Sequence, residues 1–315
     1  TFLVVSCPCA LVISVPLSFF GGIGAASGEG ILVKGSNYLE LVSKLSILVT
    51  DKTGTLTKGN FVVEKLCPRE GISEEELLFA AASAENGSTH PIAKSILLAY
   101  QERDFAGREL LIPKETENRS GKGLIAKVQD SQILVGSGRL MEEFSIAYFE
   151  EEEESATVCH VARDGVYLGK ITIADEIKES SKEAIMKMKL EGVKEVVMLT
   201  GDSRPVAEGV GRALGVDQVY SELLPAGKVE KVEELIKNLE KNGKQEGYLA
   251  FVGDGINDAP VLSRSDVGIA MGGMGSDAAI EAADIVIMDD DLVKIPRVIS
   301  IGRRTVRIAT ENIVF

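Results

Sequence analysis

Leu45-Ser46-Ile47-Leu48-Val49-Thr50-Asp51-Lys52-Thr53-Gly54-Thr55-Leu56-Thr57 is a short apolar run that stops at a carboxylate and turns on glycine among small hydroxyl residues. Near-continuous apolar runs of this length suit strands buried on both faces of a parallel sheet. Three more follow: Val196–Thr200 before Gly201-Asp202, Leu249–Val252 before Gly253-Asp254, and Val267–Met271 before a glycine-rich turn. Helical patterns at Lys182–Glu191 and Lys228–Asn238 lie between them. Strands alternating with helices predict an α/β doubly wound parallel sheet. Ligands of such sheets bind at the carboxyl ends of the strands, so the aspartates at three strand ends are expected to converge on one crevice.

Composition narrows what that crevice serves. The 315 residues carry 34 Lys and Arg against 48 Asp and Glu, a formal charge of −14, and 45% are hydrophobic. The length accommodates two ordinary domains, at roughly 100–200 residues each. The apolar fraction excludes a mostly disordered chain, and four cysteines are too few for a disulfide scaffold. An acidic chain does not suit a nucleic-acid binder, whose affinity comes from clustered cations. Any anionic ligand therefore needs a local cation. Asp51 at a strand tip, beside backbone amides, has the makings of a nucleophile at a phosphate site. Asp254 and Asp258 are oxygen ligands of the kind Mg²⁺ prefers. Thr200-Gly201-Asp202 adds a hydroxyl and an amide, and Lys228 a fixed cation. A divalent ion would let an anionic aspartate approach an anionic phosphoryl group.

Between residues 61 and 165 the texture changes. Ser73–Ser83 and Ile92–Glu102 read as helices, and Leu124–Val128 with Gln132–Val135 as a hairpin turning at Asp130–Ser131, which predicts an inserted α+β domain. Glu150–Glu154 reads as a solvated loop, and Cys67, Cys159 and His160 as packing or surface residues. Residues 29–60 and 166–296 then form the doubly wound domain, with Gly30–Lys44 as a compact connector.

At the start, Thr1–Gly28 lacks any charged residue, long enough for a span of about 20 apolar residues. With no initiating Met or basic leader, it reads as part of a membrane helix. At the other end Arg303, Arg304 and Arg307 precede the apolar-leaning Ile308–Phe315, so residues 297–315 read as the start of another span with its basic side cytoplasmic. Cys7-Pro8-Cys9 places two thiols around a proline that frees neighbouring carbonyls, and soft sulfur selects Cu(I), Zn²⁺ or Cd²⁺. Thiols in such a segment mark a functional site.

Taken together, Asp51–Thr57, Thr200–Asp202 and Gly253–Asp258 resemble the three phosphorylation-domain motifs of P-type ATPases, membrane pumps of the haloacid-dehalogenase superfamily. The resemblance implies a haloacid-dehalogenase-like phosphorylation domain with an inserted nucleotide-binding domain, flanked by partial transmembrane helices. It implies that Asp51, next to Lys52, accepts the γ-phosphoryl group of ATP. Thr53 would hold the phosphate and offer its carbonyl to Mg²⁺, near Asp254. Thr200, Gly201, Asp202 and Lys228 would stabilise the transferring group, and Asn257 and Asp258 would complete the metal-side network. Cys7-Pro8-Cys9 resembles the sixth membrane helix of the heavy-metal (type 1B) subgroup, which implies that Cys7 and Cys9 bind the cargo. Glu85, His90 and Pro91, with Gly121, Gly123, Gly136 and Gly138, resemble that subgroup's nucleotide-binding elements. Thr89 and Ser137 depart from its usual acidic residue and asparagine.

The string Cys9–Ser14 with Pro16, and Glu311–Phe315, are similar to Zn²⁺/Cd²⁺/Pb²⁺ exporters, and a Cu⁺-type pump is the alternative. The expected setting is a multi-pass cell-membrane protein with both large domains cytoplasmic. Its actuator domain and other membrane helices would be the partners absent from this chain. A soluble haloacid-dehalogenase phosphatase would share the carboxylates but normally carries a second aspartate where Thr53 stands. A metal-binding module without catalysis would not need Asp51, Asp254 and Lys228 together.

Overall fold

Chemistry at Asp51 requires a rigid strand to carry it, and the computed structural model, which describes residues 9–103, 108–149, 156–241, 244–254, 258–272 and 277–314, places one there. The strands are β1 (Ile31–Val33), β2 (Leu45–Asp51), β3 (Thr57–Pro68), β4 (Glu115–Arg119), β5 (Gly123–Val128), β6 (Ser131–Gly136), β7 (Thr157–Arg163), β8 (Val166–Ile177), β9 (Glu195–Leu199), β10 (Gln218–Tyr220), β11 (Glu240–Lys241), β12 (Lys244–Gln245), β13 (Tyr248–Gly253), β14 (Val267–Met271) and β15 (Ile285–Ile287). The chain divides into two compact units, one of residues 1–58 with 177–315 and one of Gly59–Glu176.

The first unit is a seven-stranded sheet ordered β1-β15-β14-β13-β2-β9-β10. All its pairings are parallel except β1 with β15, whose register sets Ile31 opposite Ile287. Every residue of β2 is buried, as a central strand requires. Alternate residues face opposite layers: Leu48, Val196 and Val252 join one core, and Val49, Val197 and Phe251 the other. The first core packs under helices Ser36–Ser43, Glu179–Leu190, Arg204–Leu214 and Lys294–Val314, the second under Pro225–Leu239 and the short helices after Asp258 and Asp277. This is the doubly wound arrangement expected from the apolar runs. The Gly30–Lys44 connector resolves into β1 and a helix, because Ile31 and Val33 turn inward while Leu32 faces out.

Cys9–Gly28 forms a 20-residue helix packed on Lys294–Val314. Gly22 permits the contact: a Cβ there would lie 2.3 Å from the Thr305 hydroxyl. Ile13, Leu17 and Phe20 are exposed along the helix. Among the described residues no helix is long and apolar enough to cross a membrane. Arg297, Arg303, Arg304 and Arg307 lie within Lys294–Val314. Cys7, and the acidic run from Glu150 to Glu154, lie outside the described residues.

The second unit is a six-stranded sheet ordered β3-β8-β7-β6-β5-β4, with antiparallel pairing from β8 through β4. Helices Glu74–Ala84 and Pro91–Glu102 cover one face, and the short helix Gly138–Glu143 sits on the other. Ser73 caps the first helix by accepting from the Glu76 N–H at 3.1 Å. The β5–β6 turn falls one residue earlier than expected, at Gln129–Asp130, and Gln129 takes φ +56° to close it. Cys159 and His160 are buried in β7, as packing residues.

Candidate active site

Strand β2 delivers Asp51 to the carboxyl edge of the first sheet, and β13 delivers Asp254 beside it from a parallel neighbour. Asp258 follows at the start of the next helix. One oxygen from each of Asp51, Asp254 and Asp258 lies within 4.8 Å of the others. Of the three strand-end aspartates expected to converge, Asp51 and Asp254 do so, and Asp258 joins them from the start of the next helix. Asp202, at the end of β9, instead pairs with the buried Lys52 ammonium at 2.6 Å.

Lys228, on helix Pro225–Leu239, reaches in from across the crevice. Its ammonium donates to Asp51 Oδ1 at 2.6 Å and to Asp258 Oδ1 at 3.1 Å. Burial pushes the Asp51 carboxyl up, and the Asp258 charge adds to the push; Lys228 pulls the other way, leaving it at about 6. Asp254 is also raised, mainly by burial and then by Asp258. Burial works against the Lys228 charge, but Asp51 and Asp258 outweigh it and hold the ammonium above its ordinary range. Three crowded carboxylates, two of them sharing the Lys228 ammonium, are a donor set that fits a hard divalent cation such as Mg²⁺, which takes oxygen ligands.

The turn after Asp51 is shaped by this crowding. Gly54 adopts φ +76°, and a Cβ on it would lie 1.8 Å from Asp254 Oδ2, so only glycine lets the turn close against that carboxylate. Thr53 is exposed beside it. The Thr57 hydroxyl donates to the Lys52 carbonyl at 3.0 Å, closing the turn. Thr200 is buried at the end of β9, and its hydroxyl accepts from the Asp202 N–H at 3.1 Å, while Gly201 is exposed between them. Asn257 lies outside the described residues. Sequence reasoning missed Lys178, whose ammonium donates to the Gly54 carbonyl at 2.6 Å. Its position after a strand, with no motif around it, carried no signal.

The second unit holds a separate cleft of about 830 Å³. Glu85, His90, Gly121, Gly123 and Gly136 line it, joined by Lys122, Ser137 and Cys159. Pro91 and Gly138 are not among its lining residues. Pro91 is the first residue of its helix, and Gly138 is packed against Tyr148, whose hydroxyl would lie 2.5 Å from a Cβ. His90 caps that helix: its Nδ1 accepts from the Ile92 N–H at 3.3 Å, leaving the exposed ring at the cleft. Glu85 is 7% exposed, and burial raises its carboxyl against a hydrogen bond from Ser88.

The glycines form the wall. Gly123 and Gly136 face each other across β5 and β6; a Cβ on Gly123 would lie 2.3 Å from the Val135 carbonyl, and one on Gly136 would lie 2.2 Å from that of Lys122. Ser137 ties the strands further, donating to the Lys122 carbonyl from its N–H at 2.7 Å and its hydroxyl at 3.1 Å. Side chains are thus excluded at this crossing, and the two strands meet backbone to backbone beside the cleft.

Comparison with known proteins places this geometry. The family model described as "Hydrolase: haloacid dehalogenase-like hydrolase" matches residues 45–266. The chain is 52% identical over its whole length to the cadmium, zinc and cobalt-transporting ATPase of Bacillus subtilis (strain 168), of which it spans 43%. It is 50% identical over 99% of its length to the zinc-transporting ATPase of a Synechocystis species, of which it spans 42%. The crystal structure of a zinc-transporting PIB-type ATPase in the E2.Pi state superposes with a TM-score of 0.82 at 34% identity, covering 98% of this chain and 49% of that one. The chain thus spans less than half the length of the curated relatives it matches.

Proposed function

This chain belongs to the haloacid dehalogenase-like hydrolase family, and from that premise we propose that it is the phosphorylation and ATP-binding part of a P-type ATPase that moves heavy-metal cations, Zn²⁺ or Cd²⁺ in preference to Cu⁺, across a membrane. The observation that carries the reading is the crevice in which Asp51, Asp254 and Asp258 crowd within 4.8 Å while Lys228 sits 2.6 Å from Asp51. Relatives named for zinc and cadmium transport support the choice of ion. Pb²⁺ belongs to the same soft-cation class.

In this reading ATP is held by the cleft of the second unit. The Gly123–Gly136 wall admits the flat base, with Glu85 and His90 at its rim. An Asp51 oxygen attacks the γ-phosphorus, and a new P–O bond forms. The bond to the β–γ bridging oxygen breaks, and its electron pair leaves on ADP. Asp51 must be ionised to attack, and Lys228 favours that form against the push of burial and Asp258. Mg²⁺, held by Asp51, Asp254 and Asp258 with the Thr53 carbonyl, would supply charge neutralisation for the incoming phosphoryl group. Lys228, Thr200 and the Gly201 amide would meet the phosphoryl oxygens. Asp202 holds Lys52 in place, and Asn257 would act on the metal side.

Thr53 explains why the acyl phosphate would persist. A soluble phosphatase of this family has a second aspartate there to activate water, and an exposed threonine has no carboxylate to do so. Cys7 and Cys9 would hold the cargo in the membrane, and the residues joining them to β2 would transmit the chemistry. The actuator and remaining membrane helices would come from the rest of the pump, and both units would face the cytoplasm.

Incubation of the complete protein with γ-labelled ATP, Mg²⁺ and either Zn²⁺ or Cu⁺ tests the reading. Acid-stable, hydroxylamine-sensitive label that requires Zn²⁺ or Cd²⁺ and vanishes in Asp51→Asn is expected. Label that survives Asp51→Asn removes the nucleophile. Label that depends on Cu⁺ moves the protein to the copper-type alternative.

A further inference from the structure

Lys178 stands where the chain re-enters the first unit after β8. Its side chain is only 11% exposed, and its ammonium is spent on two partners: the Gly54 carbonyl at 2.6 Å and the Asp290 carboxylate at 2.8 Å. The backbone around it grips the same turn. The Lys178 N–H donates to the Leu56 carbonyl at 3.1 Å, and the Ser181 hydroxyl donates to that carbonyl at 2.7 Å. Asp290, which anchors the ammonium, is held at φ +60°, a backbone state that L residues other than Asn and Asp rarely adopt.

A buried ammonium is an inefficient way to stabilise a fold. Replacing a buried ion pair with apolar side chains of similar volume is commonly neutral or stabilising. What the charge provides here is a position: it holds the carbonyl of the residue whose Cα hydrogens pack against Asp254 Oδ2. Lys228 therefore serves the Asp51 and Asp258 side of the crevice, and Lys178 the Asp254 side.

We propose that Lys178 is a positioning residue for phosphoryl transfer: with Asp290 fixing its ammonium, it holds the Gly54 carbonyl and so sets the 52–56 turn against Asp254. The assignment rests on the reading of Asp51 as phosphoryl acceptor. Lys178 acts through the turn, by way of the Gly54 carbonyl.

The test uses the complete protein with Lys178→Met, Lys178→Arg, Asp290→Asn and the Lys178→Met/Asp290→Asn pair. Aspartyl-phosphate formation is followed by rapid mixing with labelled ATP, and ADP affinity by calorimetry. Lys178→Met should slow phosphorylation about tenfold to a hundredfold, the range for a small misplacement of reacting groups. ADP affinity should stay within about twofold, because the cleft is untouched. Lys178→Arg, still able to donate to a carbonyl, should recover most of the rate. Asp290→Asn should lose less than Lys178→Met, and the pair no more than Lys178→Met alone, as for residues of one network. Wild-type phosphorylation rates in Lys178→Met overturn the proposal, as does equal loss of rate and ADP affinity. Should Lys178→Met fail to fold, Asp290→Asn decides, and an unchanged rate there overturns it. Failure of the underlying reading looks different: the unsubstituted protein takes no label, or keeps it in Asp51→Asn.

Discussion

At the crevice of the first unit, side chains do the work: three carboxylates crowd together beyond the ends of parallel strands, while Lys228 bridges Asp51 and Asp258 and Lys178 holds the Gly54 carbonyl. At the cleft of the second unit the wall is backbone, made by two glycines that meet across an antiparallel pair. A charge-built site fails when a carboxylate moves, since electrostatic preorganisation is lost within fractions of an ångström. A backbone-built site fails when any side chain is added. The two regions should therefore respond to different substitutions, with different readouts.

Gly54→Ala is the severest way to break that contrast. Its Cβ would lie 1.8 Å from Asp254 Oδ2 at a φ that disfavours alanine, so Asp254 must shift. Phosphorylation of Asp51 should fall by about a hundredfold or more, while nucleotide binding, measured by calorimetry, should stay near wild type. Equal loss of both would erase the distinction between the sites. Gly136→Ala should do the reverse. A Cβ 2.2 Å from the Lys122 carbonyl forces β5 and β6 apart, costing roughly 3–4 kcal/mol in chemical unfolding and weakening nucleotide affinity.

A subtler probe is pH. His160 lies in β7 opposite Gly136, with its Nδ1 2.8 Å from the Tyr167 hydroxyl, and burial lowers its pKa to about 4 with help from Lys170. The unfolded chain binds a proton near 6.5 and the folded one only near 4, so stability from this residue is full above pH 6.5 and is lost as pH falls towards 4. The loss should approach about 3 kcal/mol. Denaturant melts of the wild type and His160→Gln across that window should diverge, the variant keeping a flatter profile. Parallel profiles would mean that the imidazole titrates normally. Smallest of all, Ser73→Ala removes a helix cap in the second unit and should cost about 1 kcal/mol. No change in phosphorylation rate should accompany it in a kinetic assay, because the cap touches neither site.

Much of the first unit was legible from residue order because parallel strands, buried on both faces, write themselves as apolar runs, and β2, β9, β13 and β14 all did. The aspartates at their ends were legible for the same reason. Strands β1, β10 and β15 were not: each has three residues, too few for a periodic signal, and the edge positions of β1 and β10 are decided by neighbours. In the second unit β4 was missed because all five of its residues are exposed and polar. Gly123 and Gly136 were noticed as motifs, but their pairing with each other needed the register of β5 and β6.

Sequence alone determined the doubly wound sheet and the identity of Asp51, Asp254, Asp258 and Lys228, because burial of parallel strands and the carboxylate chemistry of their ends depend on local order. Only the tertiary structure decided that Asp202 turns to Lys52 while the other three carboxylates crowd together, and that Lys178 braces the turn carrying Gly54. Those choices depend on which side chains far apart in the chain come within a hydrogen bond of one another. Lys178 and Gly54 are separated by 124 positions, and no local pattern encodes a contact that long.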